Sequence, residues 1–235
     1  MSQESGQESS RQYRIAVVGG TGPQGKGLGY RFARHGHTVV VGSRAAEKAQ
    51  VVVDEVTERL AGAPGAGPVS GAANADACAD ADVVLLAVPY DGHDELVAGL
   101  PLAGKTVISC VNPLAFDKRG AHGLAIDGGE GSAAESAQRL APEATVVGAF
   151  HHVSAVTLWG EADYLSEEDV LVVGDSAEGK AVAIELARCV TGRNGVDGGK
   201  LRLARQLEPL TAVLISINRK YKTHSGIRIS GLGGH

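Results

Sequence analysis

Three glycines offer the first chemistry in this chain. Gly20, Gly22 and Gly25 stand in G-x-G-x-x-G spacing within GGTGPQGKGLG, directly after the apolar run Ile15–Val18. A buried strand, a glycine turn and then a helix is the context in which that spacing binds a dinucleotide. Bare backbone at Gly20 permits a tight turn, at Gly22 it admits a pyrophosphate, and at Gly25 it lets helix and strand pack closely. The helix that follows presents free N–H groups and a partial positive charge to the phosphates.

A second constellation lies a little over 20 residues downstream, where His37–Val41 reads as strand two and Gly42-Ser43-Arg44 closes it. An NAD site usually places an acid here to hold the ribose 2′-hydroxyl. Ser43 and Arg44, with Lys48 one helical turn further on, instead suit a 2′-phosphate, and so NADP. The alternative is a plain loop and helix start, with Ser43 as a cap and the basic groups solvated.

The remaining candidates are sparse. No nucleophile–base–acid motif is present, and the adjacent His151 and His152 diverge too much to share a metal without a third ligand nearby. No metal site is therefore expected. Both histidines close the strand Thr145–Ala149, at an edge where ligands bind, and either could equally be a hydrogen-bonded loop residue. Hydride transfer between two bound cofactors requires proximity and exclusion of water rather than a general acid. A site poor in catalytic side chains fits that reaction.

The elements that must hold these residues alternate regularly. Strands are expected at Pro68–Gly71, Asp82–Val88, Lys105–Cys110 and Thr145–Ala149, with helices between them, which makes an α/β fold with a Rossmann-type, doubly wound parallel sheet. Val88 and Pro89, at the carboxyl end of the clearest buried strand, should border the ribose or nicotinamide, and Asn112-Pro113 sits at a similar edge. Asp117–Gly131 and Gly192–Gly199 read as loops. A strand at Val170–Val173 and a helix at Ala177–Val190 follow, then a long helical stretch, Lys200–Lys222, in which Pro209 marks a kink or a restart. The expected division is a disordered extension over residues 1–12, a nucleotide-binding domain over 13–155, and a smaller C-terminal α/β domain over 156–235.

Charge is unevenly spread. The chain carries −5 overall, yet residues 200–235 hold seven basic groups against the single acid Glu208. With Tyr221 as its only aromatic, this segment does not resemble a nucleic-acid surface. An anionic small molecule or a merely solvated helix face accounts for it. Cys78, Cys110 and Cys189 are too scattered for a disulfide framework and suit buried thiols in a reducing cytoplasm. No apolar run approaches the roughly 20 residues of a membrane span, and the polar N-terminal residues lack the apolar core of a signal peptide.

The pieces GGTGPQGKGLGYRFARHGHTVVVGSRAAEKA, AVPYDGH, VVGAFHHVSA, LEPLTAVLISINR and SGIRI together resemble the NADPH-dependent coenzyme F-420 reductases, in register over nearly the whole chain after residue 13. These enzymes pass a hydride between NADP and an 8-hydroxy-5-deazaflavin. The resemblance implies phosphate contacts at Thr21, Gly22 and Gln24, and a 2′-phosphate on Ser43, Arg44 and Lys48. It implies the deazaflavin, as co-substrate, on His151, Val153, Leu207 and Arg219. Its anionic tail would suit the basic C-terminal segment, and a homodimer through the C-terminal helices is expected. Ser154 stands where many relatives carry proline, and the likeness breaks at a gap after Arg219, which leaves Thr223 and Ser225 without a role. Two other functions share these sequence features: an NADP-dependent reductase of a small carbonyl or imine, which would require a proton donor such as His151, and a non-catalytic NADPH sensor.

Overall fold

Ile15, Ala16, Val17 and Val18 lose all solvent contact in β1 (Arg14–Val18), an interior strand of the sheet. A computed structural model of the chain describes residues 11–126 and 131–232. Most of the extension expected at residues 1–12, and part of the glycine-rich stretch, lie outside the described residues. The chain runs outward from β1 through α1 (Pro23–Arg34), β2 (Thr38–Ser43) and α2 (Ala46–Leu60) to β3 (Val69–Ala73). It then crosses by α3 (Asn74–Ala79) to β4 (Val83–Leu86) on the other side of β1. From there α4 (His93–Ala98), β5 (Thr106–Ser109), α5 (Ala133–Leu140) and β8 (Thr145–Gly148) continue the winding. The pairs β1–β2, β1–β4, β4–β5 and β5–β8 are all parallel. The reversal of direction between β1 and β4 opens a crevice at their carboxyl ends, where ligands of such sheets bind.

After α6 (Ala155–Leu158), β9 (Leu171–Gly174), α7 (Ala177–Thr191) and β10 (Val196–Gly199) extend the same eight-stranded sheet, in the order β10-β9-β8-β5-β4-β1-β2-β3. β9 runs antiparallel to β8, so the sheet is mostly rather than wholly parallel. Apolar clusters cover both faces. Ile15, Val17, Val39 and Leu85 face one side, and Ala16, Val18, Val84 and Leu86 the other. A strand buried on both faces needs this near-continuous apolar run.

Three segments differ from the sequence reading. The stretch read as loop contains a hairpin, β6 (Leu114–Asp117) and β7 (Gly120–Gly123), whose turn is held by Asp117 Oδ1 accepting from the N–H groups of Arg119 and Gly120. β10 forms in the supposed turn region because pairing with β9, across an irregular register near Asp197, outweighs the poor strand propensity of Val-Asp-Gly-Gly. A short 3₁₀ turn at Leu201–Leu203 leads into α8 (Ala204–Tyr221), a single helix that continues past Pro209 without a restart. Pro209 supplies no N–H to that ladder, but the helix is tied there by tertiary contacts. Gly123 of β7 lies so close that an added Cβ would meet Pro209 Cβ at 2.9 Å. Neighbouring Glu208 is 1% exposed, and its two oxygens accept the N–H groups of Ala133 and Ala134 at 2.8 and 3.0 Å. α8 thereby caps α5. Burial pushes the Glu208 carboxyl up to about 8, against the pull of those two N–H donors.

α1 is fixed from the opposite side. Arg31, wholly buried, donates to the carbonyls of Thr157, Leu158, Ala162 and Asp163. A Cβ on Gly27 would sit 2.7 Å from Leu158 Cβ, so α6 packs against bare helix backbone.

Candidate functional site

The glycine loop is built almost entirely from backbone. Gly20 N–H donates to the carbonyls of Val17 and Gly42, which ties the ends of β1 and β2 together. A Cβ on Gly25 would lie 2.8 Å from Gly20 Cα and 2.9 Å from the Gly19 carbonyl, so close helix–strand packing requires this glycine. Gly22 is different. Its φ is −76°, and an added Cβ would meet only the Gly19 carbonyl at 3.4 Å. Nothing in the protein itself demands a glycine there. Gly22 caps α1, Pro23 opens the helix, and no acid lies in its first turn. The N–H groups of Gln24 and Gly25 have no partner inside the helix, as helix geometry dictates. A bare cap, free N–H groups and no repelling carboxylate fit a bound pyrophosphate.

Across the crevice, a Cβ on Gly19 would lie 2.6 Å from Val88 Cγ1, so the loops after β1 and β4 touch. Val88 is half-buried at this contact, and Pro89 and Thr21 are exposed beside it. Ser43 is buried at the end of β2, with its hydroxyl turned to the Ala45 N–H at 3.4 Å. Arg44 and Lys48 extend into solvent. Ser43, Arg44, Ala73, Asn74, Glu95 and Leu96 border an open cavity of about 300 Å³. Asn74 is not among the site residues expected from the sequence. Its Oδ1 accepts from the Gly19 N–H at 3.4 Å and abuts Gly42, so it braces the glycine loop against β2.

A second cleft of about 220 Å³ opens beside the first turn of α1. Gln24, Asn112, the segment His151–Ala155 and the α8 residues Thr211, Leu214, Ile215 and Asn218 line it, and Ser225 closes one end. The expected His151 and Val153 are both there. Leu207 is not: it is buried with Leu201 and Ala204 in the apolar cluster under the sheet. Leu214, on the same face of α8, reaches the cleft instead. Arg219 is exposed in the last turn of α8, next to Asn218. The basic segment is not one uniform rim. Arg205 is paired with Glu135 at 2.8 Å, and Arg228 lies 3.8 Å from Asp169 and donates to the Ser166 carbonyl.

His151 is 2% exposed, and neither ring nitrogen has a partner among the described residues. Burial first, and the neighbouring His152 second, push its pKa down to about 3. Burial also lowers His152, whose Nε2 lies 2.8 Å from the Asp169 carbonyl. A ring that stays neutral from pH 4 upward is a poor proton donor, though it can still donate one hydrogen bond and accept another. Among the described residues no cluster of three potential metal ligands occurs, and no helix is long and apolar enough to cross a membrane.

Comparison with known proteins points the same way. Residues 14–113 match the family described as NADP oxidoreductase coenzyme F420-dependent. The chain is 36% identical over 222 residues to the F420-dependent NADP reductase of Methanocaldococcus jannaschii, covering 93% of this chain and 99% of that one. It is 40% identical over 224 residues to the enzyme of the same name from Methanothermobacter thermautotrophicus, covering 93% and 95%. Among solved structures it is similar to one from Arthrobacter sp. FB24, provisionally assigned as an F420-dependent NADP-reductase. That likeness has a TM-score of 0.75 at 28% identity, over 93% of this chain and 99% of that one.

Proposed function

Because the chain belongs to the family of F420-dependent NADP reductases, we propose that its glycine loop holds NADP(H) and that the cleft beside α1 holds the deazaflavin, with residues 156–235 completing that second side. The protein is an oxidoreductase acting on NADP and F420. One observation carries the assignment of the two sites. Gln24 lies in the first turn of the phosphate-facing helix and also lines the second cleft, so both sites share one wall.

When both cofactors are bound, a hydride passes directly between the nicotinamide and the deazaflavin. The protein's own residues bind, orient and exclude water. Gly20, Thr21, Gly22, Gly25 and the backbone of Gln24 surround the pyrophosphate. Ser43, Arg44 and Lys48 take the 2′-phosphate, and Val88 and Pro89 flank the ribose and nicotinamide. On the opposite side His151 and Val153 form the floor, Leu214 and Thr211 the α8 wall, and Arg219 meets the anionic tail at the mouth. The neutral His151 supports this reading over reduction of a small carbonyl or imine, which requires a donor that can give up a proton near neutrality.

The finer expectations extend this proposal. Val213, Ile217 and Tyr221, four residues apart, form an exposed apolar row along α8. This face suits the homodimer, and equilibrium sedimentation of Ile217→Glu against wild type would reveal it as a shift to monomer. Three free, buried cysteines suit a reducing cytoplasm. The function itself is tested by mixing the protein with NADPH and oxidised F420. The visible absorption of the deazaflavin should fall as NADPH is consumed one for one. NADPH binding without any such change would instead indicate a sensor.

A further inference from the structure

Three side chains from three separate elements converge on two consecutive carbonyls beside the cleft. Gln24 Nε2, in the first turn of α1, donates to the Phe150 carbonyl at 3.2 Å. Asn112 Nδ2, just beyond β5, donates to the His151 carbonyl at 2.8 Å, and Thr211 Oγ1 of α8 donates to the same oxygen at 2.8 Å. The Asn112 amide can only face this way round, because the reverse would set two oxygens against each other.

The backbone they hold is strained. Among the described residues only Phe150 and Lys222 combine a side chain with positive φ. Lys222 caps α8, an ordinary place for it. Phe150, at φ +63°, caps no helix. It follows β8 and turns the chain so that His151 and Val153 reach the cleft. A left-handed phenylalanine persists only where its surroundings over-determine it. Its ring is fully buried, edge-on to Phe32 at 5.9 Å between centroids, and the three donors fix the two peptide groups that follow.

We propose that Gln24, Asn112 and Thr211 act as a clamp that holds the 150–153 turn at a fixed distance from α1, and so sets the gap across which the hydride passes. They are positioning residues. Gln24 has two parts in this: its backbone N–H faces the phosphates, while its side chain reaches the opposite wall. The dynamic half of the proposal rests on the two-site assignment above. The structural half, that these donors hold the turn, does not.

Paired variants test it. Thr211→Val keeps the shape and removes the donor, Thr211→Ser keeps the donor, and Gln24→Met keeps the length of the side chain without its amide. Three quantities are measured: amide hydrogen exchange of residues 149–153 in the cofactor-free protein, the NADPH dissociation constant, and the single-turnover hydride rate with both cofactors saturating. Thr211→Val and Gln24→Met should exchange faster in the turn and transfer hydride roughly 10–100-fold more slowly, since misplacement of about 1 Å has effects of that order. Their NADPH affinity should stay within about twofold, because the phosphate contacts they leave are backbone ones. Thr211→Ser, which keeps the donor, should regain most of the slow exchange of the turn that Thr211→Val loses. Unchanged exchange and rate would overturn the clamp, and so would a Thr211→Ser whose turn exchanges as fast as that of Thr211→Val. A Gln24→Met that loses only NADPH affinity would make its side chain a phosphate ligand and overturn its place in the clamp. If Gln24→Met does not fold, the Thr211 pair decides. A wild type that transfers no hydride refutes the two-site assignment instead, and exchange then still decides whether the donors hold the turn.

Discussion

The two sides of the crevice are made of different material. The glycine loop offers a ligand little but backbone: bare Cα positions, free N–H groups and a helix end, supplied within the short stretch from Gly20 to Gly25 and braced by Asn74. The cleft opposite is made of side chains from Gln24, Asn112, His151 and Thr211, far apart in the chain and brought together only by the fold. One side works by leaving atoms out, and the other by placing them. The first should therefore fail when a side chain is added, and the second when one is removed.

The largest effect should come from adding bulk at Gly22. Gly22→Val finds room in the protein itself, since the nearest atom to a Cβ is the Gly19 carbonyl at 3.4 Å. Its fold should survive while NADPH affinity falls by roughly a hundredfold or more, the pyrophosphate having lost its approach to the N–H groups. Gly25→Ala sharpens the contrast. Its Cβ would meet Gly20 Cα at 2.8 Å, so thermal stability and binding should drop together. Calorimetry with NADPH titration separates the two, and a Gly22→Val that binds NADPH normally would place the phosphates elsewhere.

Next comes the charge at the end of β2. Charge-assisted hydrogen bonds are worth roughly 1.5–3 kcal/mol, so Arg44→Ala should weaken NADPH on the order of 10–100-fold and leave NADH within about twofold. Equal losses for the two cofactors would show that Arg44 does not read the 2′-phosphate.

The side-chain wall makes a prediction about acid. Burial holds His151 neutral, with its pKa down at about 3, whereas in the unfolded chain a histidine titrates near 6.5. Between those values the unfolded state binds the extra proton, so stability rises with pH across that window. The neutral ring contributes fully above about pH 6.5, and the contribution declines by roughly 1.4 kcal/mol per pH unit below it. Urea unfolding from pH 4 to 7 should show a shallower acid limb for His151→Asn than for wild type. Parallel curves would mean that the ring is solvated.

The smallest effect belongs to the rim. Arg219 is exposed, and contacts of this kind are screened within about 8–10 Å at physiological salt. Added salt should raise the KM for F420 a few-fold, about what loss of one screened contact gives. Arg219→Ala should raise it as well and flatten the salt dependence, with NADPH affinity unchanged. A KM indifferent to both would make the basic segment a solvated face.

The same contrast explains what could be read from the sequence. Gly20, Gly22 and Gly25 could be singled out from sequence because a tight turn and close helix packing need glycine at fixed local spacing, and Ser43 and Arg44 because they stand at a set distance beyond that loop. The cleft gives no such signal. Thr211, Asn218 and Ser225 look like ordinary helix and loop residues, and nothing near Leu207 and Leu214 says which of the two reaches the cleft. Pro209 pointed to a break because the contacts that keep α8 continuous, through Glu208 and Gly123, come from elsewhere in the chain. The hairpin had a readable sign in Asp117-Lys-Arg-Gly120, a turn sequence whose Asp accepts from the N–H groups ahead of it. β10 had none, since Val-Asp-Gly-Gly pairs only because β9 is beside it.

The central claim is that hydride crosses directly between the two sides without passing through an exchangeable group of the protein, while the proton that balances the reduction is taken up separately. It is tested by one turnover in ordinary water with NADPH deuterated at its transferable position. All of the deuterium lost from NADPH should appear on the central ring of the reduced deazaflavin, and that fraction should be the same at pH 5 and at pH 8. Deuterium lost to solvent would contradict the account, because the label would then have passed through an exchangeable group.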